Sequence, residues 1–361
     1  MTKARIGIIG CGNISNIYLK NLTSYEQVEV VACADADLSR AKERAEQYNL
    51  PHAYSVEELL ADPSIDIVVN LTIPKAHAEI SIRALEAGKH VYGEKPLAVT
   101  LEEGARILEL AQAKGLHVAC APETFLGGGI QTCRKLIDEG AIGTPVAASG
   151  FMLCGGHENW HPDPGFYYEV GGGPMFDMGP YYLTALVTLL GPIRRVTGSA
   201  VITHAERTIT SEPKRGQKIK VETATHIAGV LDFSSGAVGT LITSFDTAAG
   251  SSLPSIEIYG SAGTLRVPDP NHFGGEVQLR RVGSRDWETI PLTHGNTDNN
   301  RGIGVVDMAE AIAEGRPHRA SGAMAFHVLE AMHGFHIASS ENVHYSMTSS
   351  CERPAPLKAE G

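Results

Sequence analysis

The fold of this chain is decided by residues 5–15, which read Arg-Ile-Gly-Ile-Ile-Gly-Cys-Gly-Asn-Ile-Ser. The first five form a short apolar run of the kind found in a buried parallel strand. Apolar residues then recur at helical spacing from Ile14 to Leu22, and residues 28–34 form a second apolar run. The segment therefore predicts a strand, a glycine loop, a helix and a second strand, with the acidic residue Asp35 directly after it.

The glycine loop has the features of a dinucleotide-binding turn. Gly10 permits a tight turn, and Gly12 lets a pyrophosphate approach the backbone because it has no side chain. The helix start at Asn13 and Ile14 offers backbone N–H groups and a positive dipole end to phosphate. Asp35 follows Gly12 by 23 residues, where a carboxylate accepts hydrogen bonds from a ribose diol. A flavodoxin-like loop without a dinucleotide is the alternative; we favour the dinucleotide because loop, helix and acid fit together.

The acidic residue also predicts which dinucleotide binds. The carboxylate of Asp35 would repel the 2′-phosphate of NADP, and Ala36 supplies no cation beside it. Arg40 lies a helical turn further on and is the residue that argues for NADP. We expect NAD as the cofactor, with NADP as the weaker alternative. Ser15 replaces the third glycine of the pattern, where a small residue suffices for helix–strand packing.

Composition places the chain among ordinary globular proteins and argues against several partners. Its 361 residues suggest two domains, and its 43% hydrophobic and 20% charged residues are typical of such proteins. The net charge of −11 argues against a nucleic acid or an anionic membrane as partner. No apolar run approaches the ~20 residues that span a bilayer, and the first strand begins too early for a signal peptide. The six cysteines show no paired spacing, so we expect a cytoplasmic protein without a disulfide or metal framework.

Changes of pattern divide the chain into three parts. Residues 1–122 alternate strands and helices, which predicts an α/β fold with a Rossmann-type, doubly wound parallel sheet. Residues 123–345 predict a substrate-binding and oligomerisation domain of the α+β class. Its open sheet is expected to be largely antiparallel, because Gly, Pro, Asn and Asp clusters separate its short apolar runs. Residues 346–361 show no packing pattern, and we expect a loose C-terminal tail there.

A lysine follows one of the predicted parallel strands. The sequence Gly93-Glu94-Lys95-Pro96 comes after the short strand at residues 90–92, and ligands bind outside the carboxyl ends of such strands. Lys95 is therefore expected near the nicotinamide, where its ammonium can hydrogen-bond a substrate hydroxyl and favour its deprotonation. A surface lysine before a turn proline is the alternative, and for an isolated Lys-Pro it is the better one. The Lys95–Pro96 bond is also a candidate cis peptide.

Four motifs occur in order along the chain. They are Gly10-x-Gly12, Thr72-Ile73-Pro74 with His77, the run from Gly88 to Ala98 around Glu94-Lys95-Pro96, and the run from Gly171 to Tyr181 around Asp177. Together they resemble the Gfo/Idh/MocA oxidoreductases, the glucose–fructose oxidoreductase and inositol dehydrogenase-like enzymes, over essentially the whole chain. The resemblance implies NAD(P)-dependent oxidation or reduction of a sugar, cyclitol or related polyol. It also implies a Rossmann domain and a C-terminal sheet that often forms the oligomer interface.

The resemblance implies roles for individual residues. Lys95 matches the lysine of the family's Glu-Lys-Pro motif, and Asp177 matches the aspartate of its Asp-x-Gly-x-His motif. Tyr181 stands where many members have histidine and glucose–fructose oxidoreductase-like members have tyrosine; we expect it to carry the proton, assisted by Lys95. Thr184 replaces a second aspartate of inositol dehydrogenase-like members, which makes myo-inositol a poor first candidate. The cofactor contacts expected beyond the loop and Asp35 are Thr72, Pro74, Glu94, Lys95 and His77, the last orienting the cofactor loop or capping a helix.

The loop at residues 155–168 is a predicted lip over the substrate. Trp160 and residues 166–168 have rings that can stack on a sugar or pack at a domain interface, and the sequence leaves both open. His157 and His161 have the spacing of metal ligands on a helix, but the glycines before them and the proline after them favour a loop without a metal. We expect Trp160 and His161 to contact the substrate.

The predicted function is hydride transfer between nicotinamide C4 and a hydroxyl-bearing carbon of a sugar, glycoside or related polyol. The other expected substrate contacts are Lys95, Asp177, Tyr181 and Glu123, with Gln131 as a further candidate. Two alternatives stay open: an NAD-recycling glycosidase or lyase that acts by oxidation and elimination, and a non-catalytic dinucleotide-dependent regulator. We also expect a homo-oligomer, a dimer or tetramer, because the C-terminal sheet offers more apolar residues than its few helices can cover.

Overall fold

The computed structural model describes residues 3–359, and the chain divides into two compact units. The first unit runs to Leu126 and includes Asn299–Leu329; the second comprises Gly127–Asp298 and the chain from Glu330 onward. The first boundary lies close to the predicted domain end at residue 122. The segment Asn299–Leu329 differs from the prediction, which places residues 123–345 in the second domain.

The helices alternate with the strands of the first unit and are fewer in the second. In chain order they are α1 (Ser15–Leu22), α2 (Leu38–Tyr48), α3 (Val56–Ala61), α4 (Pro74–Glu86), α5 (Leu101–Lys114), α6 (Gly128–Asp138), α7 (Gly173–Asp177), α8 (Gly179–Leu190), α9 (Ile303–Glu314) and α10 (Gly322–Glu341). Short 3₁₀ turns occur at Glu123–Leu126 and Gly165–Tyr168. None of the helices within residues 3–359 is long and apolar enough to cross a membrane.

The strands fall into two sheets and a small hairpin. In chain order they are β1 (Ala4–Ile9), β2 (Val28–Ala34), β3 (His52–Tyr54), β4 (Ile67–Asn70), β5 (His90–Gly93), β6 (Val118–Cys120), β7 (Pro145–Leu153), β8 (Ile193–Val201), β9 (Glu206–Thr208), β10 (Lys218–Lys220), β11 (His226–Phe233), β12 (Val238–Ser244), β13 (Ile256–Gly260), β14 (Gly263–Val267), β15 (Val277–Arg281), β16 (Glu288–Ile290) and β17 (Tyr345–Ser346).

The first unit has the predicted doubly wound architecture. Its sheet is parallel, with the order β3-β2-β1-β4-β5-β6 in the described chain. The order reverses beside β1, which makes the carboxyl ends of β1 and β4 the expected ligand crevice. Local signals explain the helix starts: Thr100 forms the capping box of α5 with Glu103, as its sequence predicts.

Residues 299–329 belong to the first unit because they pack on its last strand and on the turn after it. Cys120 of β6 donates its N–H to the Ala320 carbonyl at 3.0 Å, and the Gly302 N–H donates to the Glu123 carboxylate at 2.7 Å. The helical pattern of this segment was visible in the sequence. Periodicity shows that a helix has an apolar face but not which domain that face contacts, so the assignment was wrong.

The second unit is built on a mixed, mostly antiparallel sheet. Its order in the described chain is β16-β15-β14-β13-β7-β12-β11-β8-β17, and the pairing of β7 with β12 is parallel. Inward side chains such as Leu231, Leu241, Ile258 and Leu265 are fully buried. Helices α6 and α7 contact strands of this sheet, and α8 contacts both of these helices. The α+β class and the largely antiparallel sheet are confirmed.

The C-terminal tail is anchored, so the expectation of a loose segment is wrong. Glu330 accepts the N–H groups of Thr348 and Ser349 at 2.7 and 2.8 Å. Arg353 donates to the Thr188 carbonyl at 2.7 Å at the end of α8. Gln131, a candidate pocket residue, is 2% exposed and accepts the N–H of Leu357 at 2.8 Å. The tail is held by individual polar hydrogen bonds, and such contacts require no periodic apolar pattern in the sequence.

Candidate cofactor and substrate sites

The glycine loop after β1 has the geometry that a pyrophosphate requires. Gly10 has φ +104°, and a Cβ there would lie 2.6 Å from the Leu71 carbonyl carbon, so only glycine fits. A Cβ at Gly12 would meet nothing within 4 Å, so the loop faces open space at this position. Helix α1 begins at Ser15, whose hydroxyl donates to the Gly12 carbonyl at 2.6 Å and fixes the turn. The residues present therefore fit a dinucleotide.

Asp35 is half-buried at the end of β2 and holds the glycine loop. Its Oδ2 accepts the Cys11 N–H at 2.8 Å, and its Oδ1 accepts the Asp37 N–H at 2.9 Å. The carboxylate is thus fixed beside the loop, where its contact with a ribose was predicted. By these two backbone contacts Asp35 also joins the end of β2 to the loop, a role that the sequence did not predict.

His77 links two loops at the carboxyl ends of the parallel strands. It is 2% exposed, with Nε2 2.9 Å from the Thr72 carbonyl and Nδ1 2.7 Å from the Pro96 carbonyl. Burial lowers the pKa of His77, while the two carbonyl acceptors act in the opposite direction. A neutral ring has one N–H, so it donates to one of these carbonyls at a time. Pro74, the first residue of α4, lies in the Thr72 loop.

The Glu-Lys-Pro motif follows β5, and its Lys95–Pro96 peptide is cis, as predicted. Lys95 is half-buried at this strand end. Glu94 is only 9% exposed: its Oε1 accepts the Tyr18 hydroxyl at 2.8 Å, and its Oε2 accepts the Lys95 N–H at 2.9 Å. The glutamate therefore positions the backbone of the lysine. Its predicted contact with the cofactor stays a prediction that this arrangement does not favour.

Glu123 belongs to the same buried network. It is 2% exposed, and its Oε1 accepts the Gly302 N–H at 2.7 Å. Its Oε2 accepts the Tyr92 hydroxyl at 2.8 Å and lies 3.3 Å from the Tyr18 hydroxyl oxygen, whose one proton is donated to Glu94. Burial and the nearby Glu94 carboxylate raise the pKa of Glu123. A substrate contact by Glu123 stays a prediction, and these interior partners favour a structural role.

The second unit carries Asp177 and Tyr181 at the junction of two helices. Asp177 is the last residue of α7, and Tyr181 lies in the first turn of α8. Tyr181 is 7% exposed and Thr184, one turn further, is 4% exposed. Asp177 Oδ2 lies 3.1 Å from His157 Nε2, and the two side chains are 15% and 12% exposed. The sequence predicts His157 as part of the lip rather than as a metal ligand, and it gives no signal of the pairing with Asp177.

An aromatic cluster surrounds His157 in the predicted lip. The His157 ring centroid lies 4.0 Å from that of Tyr167, 4.6 Å from that of Phe245 and 5.3 Å from that of Trp160. Trp160 is 59% exposed, whereas Tyr168 is fully buried. Tyr168 therefore packs inside the unit, whereas Trp160 is largely exposed beside His157 and His161, and its stacking on a sugar stays a prediction.

A buried ionic network anchors this lip. The Arg207 side chain is 8% exposed and pairs with Glu158 and Asp246. Its guanidinium carbon also lies 5.2 Å from the Tyr168 ring centroid, and the Tyr168 hydroxyl donates to Glu158. Charged pairs with this much burial hold a segment in place because breaking one leaves an uncompensated charge.

The predicted loop character of the histidine pair is confirmed. The segment after His157 forms a turn, with the N–H of His161 donating to the His157 carbonyl at 3.0 Å. His161 Nδ1 accepts the Asp163 N–H at 3.0 Å. Within the described part of the chain, no three His, Cys, Asp or Glu side chains are grouped to hold a metal ion.

Comparison with known proteins agrees with this architecture. Residues 4–121 match the model of an oxidoreductase family with an NAD-binding Rossmann fold, and residues 130–266 match the GFO/IDH/MocA C-terminal domain. The myo-inositol 2-dehydrogenase of Thermotoga maritima is 27% identical over 263 residues, which cover 72% of this chain and 74% of that protein.

Solved structures share the fold over nearly the whole length. An NAD-binding oxidoreductase from Klebsiella pneumoniae has a TM-score of 0.84 at 23% identity and covers 97% of this chain and 100% of its own. A levoglucosan dehydrogenase in complex with NADH and levoglucosan has a TM-score of 0.83 at 22% identity, with coverages of 96% and 100%. At these identities the similarity shows the fold.

Proposed function

Since this chain belongs to the Gfo/Idh/MocA family of NAD-binding oxidoreductases, we propose that it transfers a hydride between nicotinamide C4 and a hydroxyl-bearing carbon of a sugar, glycoside or related polyol. The observation that carries the proposal is the glycine loop held open beside Asp35. The loop at residues 10–15 would hold the pyrophosphate, and Asp35 the ribose. When bound, NAD supplies the hydride acceptor; the protein supplies position and proton transfer.

Lys95, Asp177 and Tyr181 are the residues proposed to handle the proton. Oxidation of a carbinol removes a hydride from carbon and a proton from oxygen. An ammonium group such as that of Lys95 stabilises the developing charge on the substrate oxygen. In our proposal Tyr181 accepts the proton in its phenolate form, and Asp177 orients a substrate hydroxyl or the lysine. The support is positional: Lys95 and Asp177 match the family's motifs, and Tyr181 stands at the position of the motif's histidine, where glucose–fructose oxidoreductase-like members have tyrosine.

A sugar-like substrate is supported by two independent observations. The exposed ring of Trp160 offers an apolar face of the kind that packs on the C–H face of a pyranose. Related proteins include a myo-inositol 2-dehydrogenase and a levoglucosan dehydrogenase seen with levoglucosan. A panel of sugars, glycosides and cyclitols, scored by the absorbance of NADH, would identify the substrate. If no member of the panel reduces NAD, the sugar dehydrogenase proposal is refuted.

We also propose that the protein is a homo-oligomer formed through the outer face of the nine-stranded sheet. The inner face is covered by helices, whereas Phe151, Val230 and Ile242 on the outer face are only half-buried. Val238, beside them on β12, is 46% exposed. Apolar side chains left partly exposed on the open face of a sheet favour association with a second copy.

The proton-handling roles are tested by Lys95→Ala and Tyr181→Phe. Each variant should lose roughly 10²–10⁴-fold in single-turnover hydride transfer, the usual contribution of positioned acid–base groups. NAD binding, followed by fluorescence titration, should persist because the loop and Asp35 do not depend on these side chains. Tyr182→Phe is a matched control on the same helix, since Tyr182 donates to the Phe151 carbonyl at 3.2 Å. A Tyr181→Phe enzyme with nearly full rate would remove Tyr181 from the proton path.

A further inference from the structure

We propose that His157 is a positioning residue for the hydride-transfer reaction, holding the carboxylate of Asp177 in one orientation. The inference rests on the proposed function, because Asp177 acquires its importance from that reaction. His157 lies in the lip and Asp177 ends α7, so the pair joins two segments 20 residues apart in sequence. The Nε2–Oδ2 distance of 3.1 Å is that of a hydrogen bond.

The position of the proton on the imidazole ring follows from what surrounds its two nitrogens. Nδ1 is buried, and no hydrogen-bond partner lies within its reach among the described residues. A neutral ring with its proton on Nδ1 would bury an unpaired N–H and turn a lone pair toward the Asp177 carboxylate. With the proton on Nε2, the ring donates to the carboxylate, and only the Nδ1 lone pair is unpaired. The second arrangement is the more favourable one.

If the His157 side chain served only to fill space, an imidazole would be less favourable there than a phenyl ring. Its neighbours Tyr167, Phe245 and Trp160 are aromatic, with centroids 4.0 to 5.3 Å away. A phenylalanine would fill the same place and has no ring nitrogen. Buried polar atoms without a hydrogen-bond partner, such as Nδ1 here, are rare in folded proteins. The Nε2–H bond to Asp177 is the contact that a phenylalanine could not make, and it is therefore the reason for a histidine here.

The surroundings also fix the direction of this N–H. The aromatic neighbours enclose the ring, and the His157 backbone N–H donates to the Tyr168 hydroxyl at 3.3 Å. Tyr168 is fixed in turn by Glu158 and Arg207. Packing and this network hold the Nε2–H donor of His157 in place. The orientation of the Asp177 carboxylate that accepts from it is therefore restricted as well. Support of this kind is what keeps a reacting group within its productive geometry.

His157 acts through Asp177 rather than on the substrate. Its Nδ1 is shielded from solvent, and its Nε2 is occupied by the carboxylate. The expected signature of its loss is a lower kcat with little change in the affinity for NAD, whose proposed contacts lie in the first unit. A loss of packing alone would instead lower the stability of the second unit without this selective effect on turnover.

The test compares His157→Phe with His157→Gln in the full-length enzyme. Phenylalanine keeps the ring and removes the N–H, whereas glutamine can place an amide N–H near the position of Nε2. We expect His157→Phe to lower kcat about tenfold or more, because a small misplacement of a positioned group can cost up to about 10²-fold in rate. His157→Gln should recover most of this loss. His204→Phe, at an exposed histidine, is the control, and thermal unfolding of each variant measures the packing effect.

A double-mutant cycle with Asp177→Asn decides between positioning and packing. If His157 acts through Asp177, His157→Phe should have little further effect on kcat in the Asp177→Asn background. Multiplied losses in the double mutant overturn the inference, as does equal kcat for wild type and His157→Phe. Should His157→Phe not fold, His157→Asn replaces it, because the shorter amide does not reach the carboxylate.

The two proposals fail in different ways. A wild-type enzyme that oxidises no sugar overturns the proposed function and this inference with it. If the wild type is active and Asp177→Asn is impaired while His157→Phe is not, the function stands and the positioning role alone is refuted.

Discussion

Three adjacent histidines should make the first unit sensitive to acid. The ring centroid of His117 lies 5.2 Å from that of His90 and 5.6 Å from that of His318. Burial and the neighbouring His117 lower the pKa of His318 to about 4, with Arg316 also lowering it and Asp307 raising it. Burial, followed by His117, lowers the pKa of His90 as well. The Nδ1 of His318 is buried without a partner among the described residues, so a second ring proton would find no acceptor there.

The sign and size of the effect follow from the two pKa values of His318. In the unfolded chain the ordinary value of 6.5 applies, and in the folded unit the value is about 4. Between these values the unfolded chain binds a proton that the folded unit does not, so stability falls as pH falls. The contribution is fully present above pH 6.5, and roughly 2 kcal/mol of it is lost between pH 7.5 and pH 5. For a unit of this size that corresponds to about 4–8 °C in Tm.

Thermal unfolding of His318→Gln at pH 7.5, 6 and 5 tests this reasoning. Glutamine removes the titrating ring, so the Tm of the variant should fall by about 4–8 °C less than that of the wild type over this range. His52→Gln is the control, because His52 is an exposed histidine of the same unit and should leave the pH dependence unchanged. Parallel Tm curves for wild type and His318→Gln would show that the histidine cluster does not set the acid sensitivity.

Four further outcomes are expected. Asp35→Ala should raise the Kd for NAD at least tenfold in a fluorescence titration, because the carboxylate also holds the Cys11 N–H; unchanged affinity would contradict this. Catalytic efficiency should be higher with NAD than with NADP, and the opposite order would refute NAD as the cofactor. Arg207→Met should destabilise the second unit by about 3–5 kcal/mol, since Glu158 and Asp246 would be left buried without their partner; an unaltered Tm would refute it. Light scattering should give a multiple of 38.5 kDa, and a monomer at micromolar concentration would exclude the homo-oligomer.

The fold could be predicted in outline because its signals are local. The apolar run, the glycines and the acid of residues 5–35 all lie within one βαβ unit, and each has its own physical reason. The Thr100 capping box and the cis Lys95–Pro96 peptide depend on neighbouring residues and were also predicted. The antiparallel character of the second sheet followed from turn residues between short apolar runs, without knowledge of which strands pair.

The errors concern contacts between segments that are distant in sequence. Residues 299–329 show a helical pattern, but the pattern carries no information about the strand on which they pack. The tail is held by Arg353, by Glu330 and by the amide of Gln131. Such single polar contacts have no period, so a segment that relies on them resembles a loose one in its sequence.

The same distinction separates the parts of the site that were predicted from those that were not. Motif positions such as Lys95 and Asp177 are predicted as site residues from their place along the chain. The pairing of Asp177 with His157 was not, because it depends on the course of an irregular loop anchored by Arg207. A histidine that occurs in a loop without regular structure gives no sequence signal of the side chain that it will meet.

Glu94 shows what a motif does and does not specify. The Glu-Lys-Pro motif fixes a backbone position at the end of β5, but the direction of each side chain depends on neighbours from other elements. Tyr18 of α1 draws the Glu94 carboxylate into the interior, and the same carboxylate accepts the Lys95 N–H. The first residue of the motif therefore serves the second: the glutamate fixes the backbone from which the lysine extends. A glutamine at this position would keep an acceptor for one of these two donors but not the charge that now serves both. For this reason Glu94 is better understood as a support for Lys95 than as a cofactor ligand.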